Sequence, residues 1–176
     1  ILSRTTGNEQ QNELKELIGE NLTGTELVDI TVTNPEDVEQ QVTLESTLQL
    51  PEITQSLGSR LLVQSTGFLK QADNPFQSSA RQHNIVFDYA VEQVDTIRIK
   101  IPPGWEPEAL PEKTSKRNRS GMCSVTYEIT GNTLLVEQRF TIKRPFWAPK
   151  DYRFIKALFE ARQGISGEQV VFKQVE

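Results

Sequence analysis

The chain has 176 residues with 36% hydrophobic and 24% charged residues, enough apolar content for a packed core and too much for wholesale disorder. Its net charge of -5 argues against a nucleic-acid binder, because phosphate neutralisation needs clustered Lys and Arg. A single cysteine excludes an internal disulfide and a Cys-rich zinc site, and no apolar run reaches the length of about 20 residues that spans a bilayer.

In chain order, "NEQQNELKELIGENL" predicts an amphipathic helix, with Leu14, Leu17, Ile18 and Leu22 on one face. "LVDITVT" alternates through Val28, Ile30 and Val32. After the turn signal "NPED", "QVTLESTLQL" alternates through Val42, Leu44, Leu48 and Leu50. Both read as half-buried antiparallel strands. "SRLLVQS" is a further short strand, and "KQADNPFQSSA" reads as a linker over residues 70–80.

The second half alternates more regularly. "HNIVFDYAV" predicts a strand through Ile85, Phe87, Tyr89 and Val91, and "VDTIRIKIPPGW" one through Ile97, Ile99 and Ile101. "EPEALPEKTSKRNRSG" reads as a long polar loop. "CSVTYEIT" and "TLLVEQRFTIK" flank "TGNT", a tight hairpin signal. "RPFWAP" breaks the ladder, and "PKDYRFIKALFEARQG" predicts a helix over about 149–163 with Gly164 as its cap. Tyr152, Phe154, Ile155, Leu158 and Phe159 give it a broad apolar face, which implies packing on a sheet. "EQVVFKQV" is a final strand. The expected fold is mainly β: seven or eight mostly antiparallel strands and two helices. They form sandwich-like modules at 1–75 and 81–176, each with a packed helix.

Three features invite a chemical reading. Cys123, with the sole His83 and nearby Asp88, suggests a Cys-His-Asp nucleophile. Strand parity instead sets Cys123 beside Val125, Tyr127 and Ile129 on an apolar face, where a thiol is a small hydrophobe. No cation or helix start lies close in sequence to favour a thiolate. One His with scattered carboxylates gives no metal site. The second feature, Lys113, Lys116, Arg117 and Arg119, is an anion contact or a solvated loop. The third, Trp105 and Trp147, forms a sugar or partner platform or plugs the end of a sandwich. Phosphate loops, HExxH and GxSxG are absent, so no cofactor, metal or catalytic residue is assigned.

From Arg81 onward a set of motifs recurs in order: "IKIPPGW", a second "LP" at "ALPE", a Gly leading into "GMCSVTYEITGNTLLVEQRFTIKR", "APKDYRFIKALFEA", and "VVFK". Over about residues 81–175 the chain resembles a C-terminal β domain of unknown function that follows transglutaminase-like domains in multi-domain bacterial proteins. "ELVDITVTNPEDVEQQVTLESTLQLP" resembles the β segment that joins the two. The resemblance implies a non-catalytic accessory or interaction region in a periplasmic or secreted protein. Its partner would be an upstream domain of the same polypeptide, with a protein or glycan partner also open. Any Cys-His-Asp chemistry would then belong before Ile1, and the chain reads as a piece of a longer protein. A carbohydrate- or envelope-binding module using Trp105, Trp147 and the basic segment is the alternative, and a self-contained thiol enzyme the third reading.

Overall fold

A computed structural model describes residues 26–34, 40, 42–49, 53–66 and 74–175. The helix expected before residue 24 lies outside them. The chain divides into two units, Ile1–Thr54 and Gln55–Glu176.

In the first unit, β1 (Glu26–Thr33) pairs antiparallel with β2 (Thr43–Gln49). The register sets Val32 against Leu44 and Leu27 against Leu48, then shifts between Leu27 and Asp29. Val28 therefore drops out of the face that alternation assigned to it, as happens at a β-bulge. The strands are those expected, with Val32 and Leu48 half-buried, but the burial does not extend to every apolar position. Val28, Val42 and Leu44 are 56%, 49% and 46% exposed.

The second unit is built on two four-stranded antiparallel sheets. One has the order β6 (Val91–Lys100), β10 (Thr133–Ile142), β9 (Gly121–Thr130), β8 (Thr114–Asn118). The other has the order β3 (Thr54–Leu57), β4 (Arg60–Gln64), β12 (Gln169–Gln174), β7 (Trp105–Ala109). A two-residue pair joins β5 (Ile85–Val86) to β11 (Phe146–Trp147). The 3-10 turn Pro149–Asp151 leads into one helix, α1 (Tyr152–Ser166), which packs on β9 and β8.

Binary pattern explains the central hairpin. On β10, Leu134, Val136, Phe140 and Ile142 are all buried, as are Cys123 and Val125 on β9. The register brings each into a cross-strand row: Cys123 with Phe140, and Val125 with Gln138. Gly131 takes φ 59° in the two-residue loop, a conformation that costs glycine nothing and suits the first position of a type II′ turn. Gly121, opposite Ile142, is required for a different reason. A Cβ there would lie 1.8 Å from the Thr141 carbonyl oxygen, so the chains approach too closely for any side chain. The helix closes the core with Ile155, Leu158 and Ile165, while Phe159 meets Phe76 at 4.8 Å and Phe140 at 5.3 Å between ring centroids.

Five other expectations change. The polar loop over 106–121 contains strands β7 and β8; both are sheet edges, where exposure erases alternation. The strand expected from His83 to Val91 shrinks to Ile85–Val86, and Tyr89 is 69% exposed. The helix runs through Gly164 to Ser166, so Gly164 is interior and Gly167 is the cap. Residues 74–80 are not a free linker. Phe76 is buried, Asn74 donates to Gln163, and the Ser78 carbonyl accepts from Tyr152 and Lys156, which fastens the segment to α1. The boundary expected between residues 75 and 81 therefore falls inside the second unit, because β4, upstream of it, pairs with β12 at the far end of the chain.

Candidate functional site

Cys123 sits in the third residue pair of β9 from its buried end, between Phe140 on β10 and Lys116 on β8. It is 2% exposed. Burial pushes its thiol up to about 11, and the attraction of the Arg162 guanidinium only partly opposes this. Arg162 comes from α1 and is already engaged. Its Nη2 donates to Gln93 Oε1 at 3.0 Å, and its guanidinium lies 4.5 Å from the Phe140 ring centroid. Gln93 in turn donates to the Asp95 carboxylate at 2.9 Å. The cavity beside the thiol is lined by Asp95, Gln138, Arg162 and Ile165, and its volume of about 10 Å³ suits one water molecule. His83 and Asp88 are both exposed, and neither lines that cavity. A catalytic thiol requires a lowered pKa and an aligned base. Cys123 has its pKa raised, and its neighbours are a cation bound elsewhere and an aromatic ring.

The basic segment is dispersed by the strand that carries it. Along β8 the residues alternate sides: Lys116 stands opposite Cys123, and Arg117 opposite Met122, to whose sulfur it donates at 3.6 Å. Arg119 lies just past the strand and turns back onto the start of the helix. It ion-pairs with Asp151, and its guanidinium stacks 4.2 Å from the Phe154 ring centroid. Asn118 fixes that turn, accepting from the Ser120 amide at 2.8 Å and donating to the Phe154 carbonyl at 2.9 Å.

This corner holds the residues that sequence reasoning missed. Asp151 is 4% exposed and receives Arg144 at 3.7 Å as well as Arg119. Arg144 lies 4.0 Å from the Trp147 centroid, and Arg153 lies 4.6 Å from that of Phe154. Two guanidiniums, those of Arg119 and Arg144, thus pair with one buried carboxylate, and all three rest on aromatic faces. Stacking holds each planar fork in place while leaving N–H donors free for an anionic partner. Beside them Val86 and Phe146, cross-strand neighbours, are 71% and 54% exposed. The available sequence signal was the pairing of cations with aromatics in "KRPFW" and "KDYRF". One exposed aromatic side chain, Phe146, thus stands beside half-exposed arginines.

The two tryptophans do not form one platform. Trp147 is 2% exposed and donates from Nε1 to the Arg144 carbonyl at 2.7 Å, so it plugs the core. Trp105 is half-buried at the start of β7, opposite Gln174. Among the described residues, no group of three His, Cys, Asp or Glu could hold a metal ion, and no helix is long and apolar enough to cross a membrane.

No curated protein matches the chain. One solved structure that it resembles is a candidate protease from Parabacteroides distasonis. That likeness has a TM-score of 0.49 and 14% identity, and covers 55% of this chain and 19% of that one. Residues 59–172 match a family described as a domain of unknown function with solved structure, DUF3858, a span that takes in the helix and the strands of both sheets other than β3; the chain belongs to this family.

Proposed function

We propose that the chain is the non-catalytic C-terminal accessory region of a larger transglutaminase-like protein of the bacterial cell envelope. It acts by holding the catalytic domain in place and by presenting the corner around Asp151 to a protein partner. The observation that carries this reading is the placement of the chain's one thiol. Cys123 is 2% exposed with its pKa raised, while the sole histidine stands in solvent. Membership of the DUF3858 family supports it, as do the ordered motifs from Arg81 to "VVFK" that resemble a domain following transglutaminase-like domains. The exposed arginines on Phe154 and Trp147, next to Val86 and Phe146, supply the contact surface. Burial of Trp147 removes half of the tryptophan pair on which a glycan-binding reading depends.

The test has two arms. The purified chain is assayed for amide hydrolysis and acyl transfer, with and without Cys123→Ala; no activity is expected in either. In the full-length gene product, Cys123→Ala is expected to leave acyl transfer intact, whereas deleting residues 59–172 is expected to impair it. Activity of the isolated chain that Cys123→Ala abolishes would overturn the reading.

A further inference from the structure

Four strands end the two large sheets of the second unit, and three of them carry features that discourage pairing with another chain. β3 has only four residues. β7 contains Pro107 and a register shift against β12. β8 has five residues and sets Lys116 beside Arg117. Short length, proline, bulges and lysine are the usual protections of a sheet edge. β6 has none of the first three and carries its lysine only at its end. It is ten residues long, contains neither Gly nor Pro, and keeps an unbroken register with β10 from Val91–Ile142 to Lys100–Thr133. Among the described residues it ends its sheet, and Glu92, Thr96, Arg98 and Lys100 are exposed along it.

The charges on β6 are ordered. Glu92 and Asp95 occupy the first half, and Arg98 and Lys100 the second. A strand with that polarity complements an antiparallel copy of itself and repels a parallel one. We propose that β6 is a self-association edge: two copies of this chain pair antiparallel through β6, about a two-fold axis at Thr96, to make one continuous eight-stranded sheet. In this register Glu92 faces Lys100 of the partner subunit, Val94 faces Arg98 of the partner subunit, and Thr96 faces its own symmetry mate. Each off-axis pair forms twice. The neighbouring register, centred on Asp95, sets two carboxylates against each other and is disfavoured. Arg139 on β10 lies 3.6 Å from Glu92, which keeps that carboxylate on the face where the partner's Lys100 arrives. Backbone bonding along the edge supplies affinity, and the charge order supplies register.

The inference is independent of the accessory role and of the corner around Asp151, so its test uses different residues. Sedimentation velocity of the 176-residue chain over a range of concentrations is expected to show a monomer–dimer equilibrium. Glu92→Lys and Lys100→Glu, made singly, each place like charges opposite one another twice and are expected to weaken the dimer about tenfold. The double variant Glu92→Lys/Lys100→Glu restores the pairing and is expected to recover it. All three keep exposed positions exposed, and matched melting temperatures verify the fold. A chain that stays monomeric throughout overturns the inference, as does a dimer that the single reversals leave unchanged or the double reversal fails to rescue.

Discussion

The hairpins β1–β2 and β9–β10 have the same local grammar and opposite fates. Both alternate, both pair antiparallel, and both carry apolar residues at most of their alternate positions. Yet Leu134 on β10 is 0% exposed, and Leu44 on β2 is 46% exposed. The difference lies in what covers the strand. β9 and β10 are flanked by β8 and β6 and covered by α1, whereas among the described residues β1 and β2 form a two-stranded sheet. Alternation marks a strand and assigns its faces; burial depends on a third element that the local sequence does not name.

The largest expected contrast follows from this. Leu134→Ala should destabilise the protein by about 3 kcal/mol, through lost transfer energy and a residual cavity. Leu44→Ala should change stability by no more than about 0.5 kcal/mol. Denaturant unfolding of both variants checks the pair, and equal losses would show that β2 is as well covered as β10.

Gly121→Ala sharpens the contrast inside the central hairpin. The added methyl meets the Thr141 carbonyl at 1.8 Å and Leu158 Cδ1 at 3.3 Å, so backbone must move. A loss of about 2–3 kcal/mol is expected from overpacking. Gly131 lies in the same hairpin with open space around it, and Gly131→Asn should cost less, about 1 kcal/mol, through backbone strain at φ 59° rather than through contact. Thermal unfolding of the two variants separates crowding from turn geometry.

Asp151→Ala tests the basic corner. The carboxylate is nearly buried and joins Arg119 and Arg144, which themselves stay half in solvent. Removing it forfeits charge-assisted bonds while the cations rehydrate, for an expected loss of about 1.5–2 kcal/mol in denaturant unfolding.

An effect of pH follows from the burial of Cys123. The Cys123 thiol ionises near 9 when unfolded and at about 11 in the native protein. Its native pKa is raised, so the protonated thiol's contribution is fully present below pH 9. It is lost as pH rises from 9 to 11, where only the unfolded chain releases the proton. Wild-type protein should therefore lose more stability than Cys123→Ala across that window. Urea midpoints at successive pH values measure the difference.

How much was legible in the sequence follows the same division. The faces of β9 and β10, the broad apolar face of α1 and the inward direction of Cys123 were readable, because a period of two or of 3.6 residues reports a covered face. β7 and β8 were not, since edge strands expose both sides and their polar residues mimic a loop. Gly164 looked like a helix end, but it has open space around it and no positive φ, and the helix continues for two residues beyond. The corner around Asp151 was legible only in fragments. Arg119, Arg144 and Arg153 come from three separate segments, and only the return of β8 and β10 to the start of α1 gathers them. The basic stretch from Lys113 to Arg119 was visible as a charge cluster, but the fold sends Lys116, Arg117 and Arg119 in different directions.

The most direct test of the central claim, that the one thiol of this chain is packing rather than chemistry, is the rate at which Cys123 is alkylated by iodoacetamide at neutral pH. With the side chain 2% exposed and its pKa raised by burial, labelling of native protein should be negligible. It should become complete only when denaturant unfolds the chain. Rapid stoichiometric labelling of the folded protein, at or above the rate of an unperturbed thiol, would contradict the account.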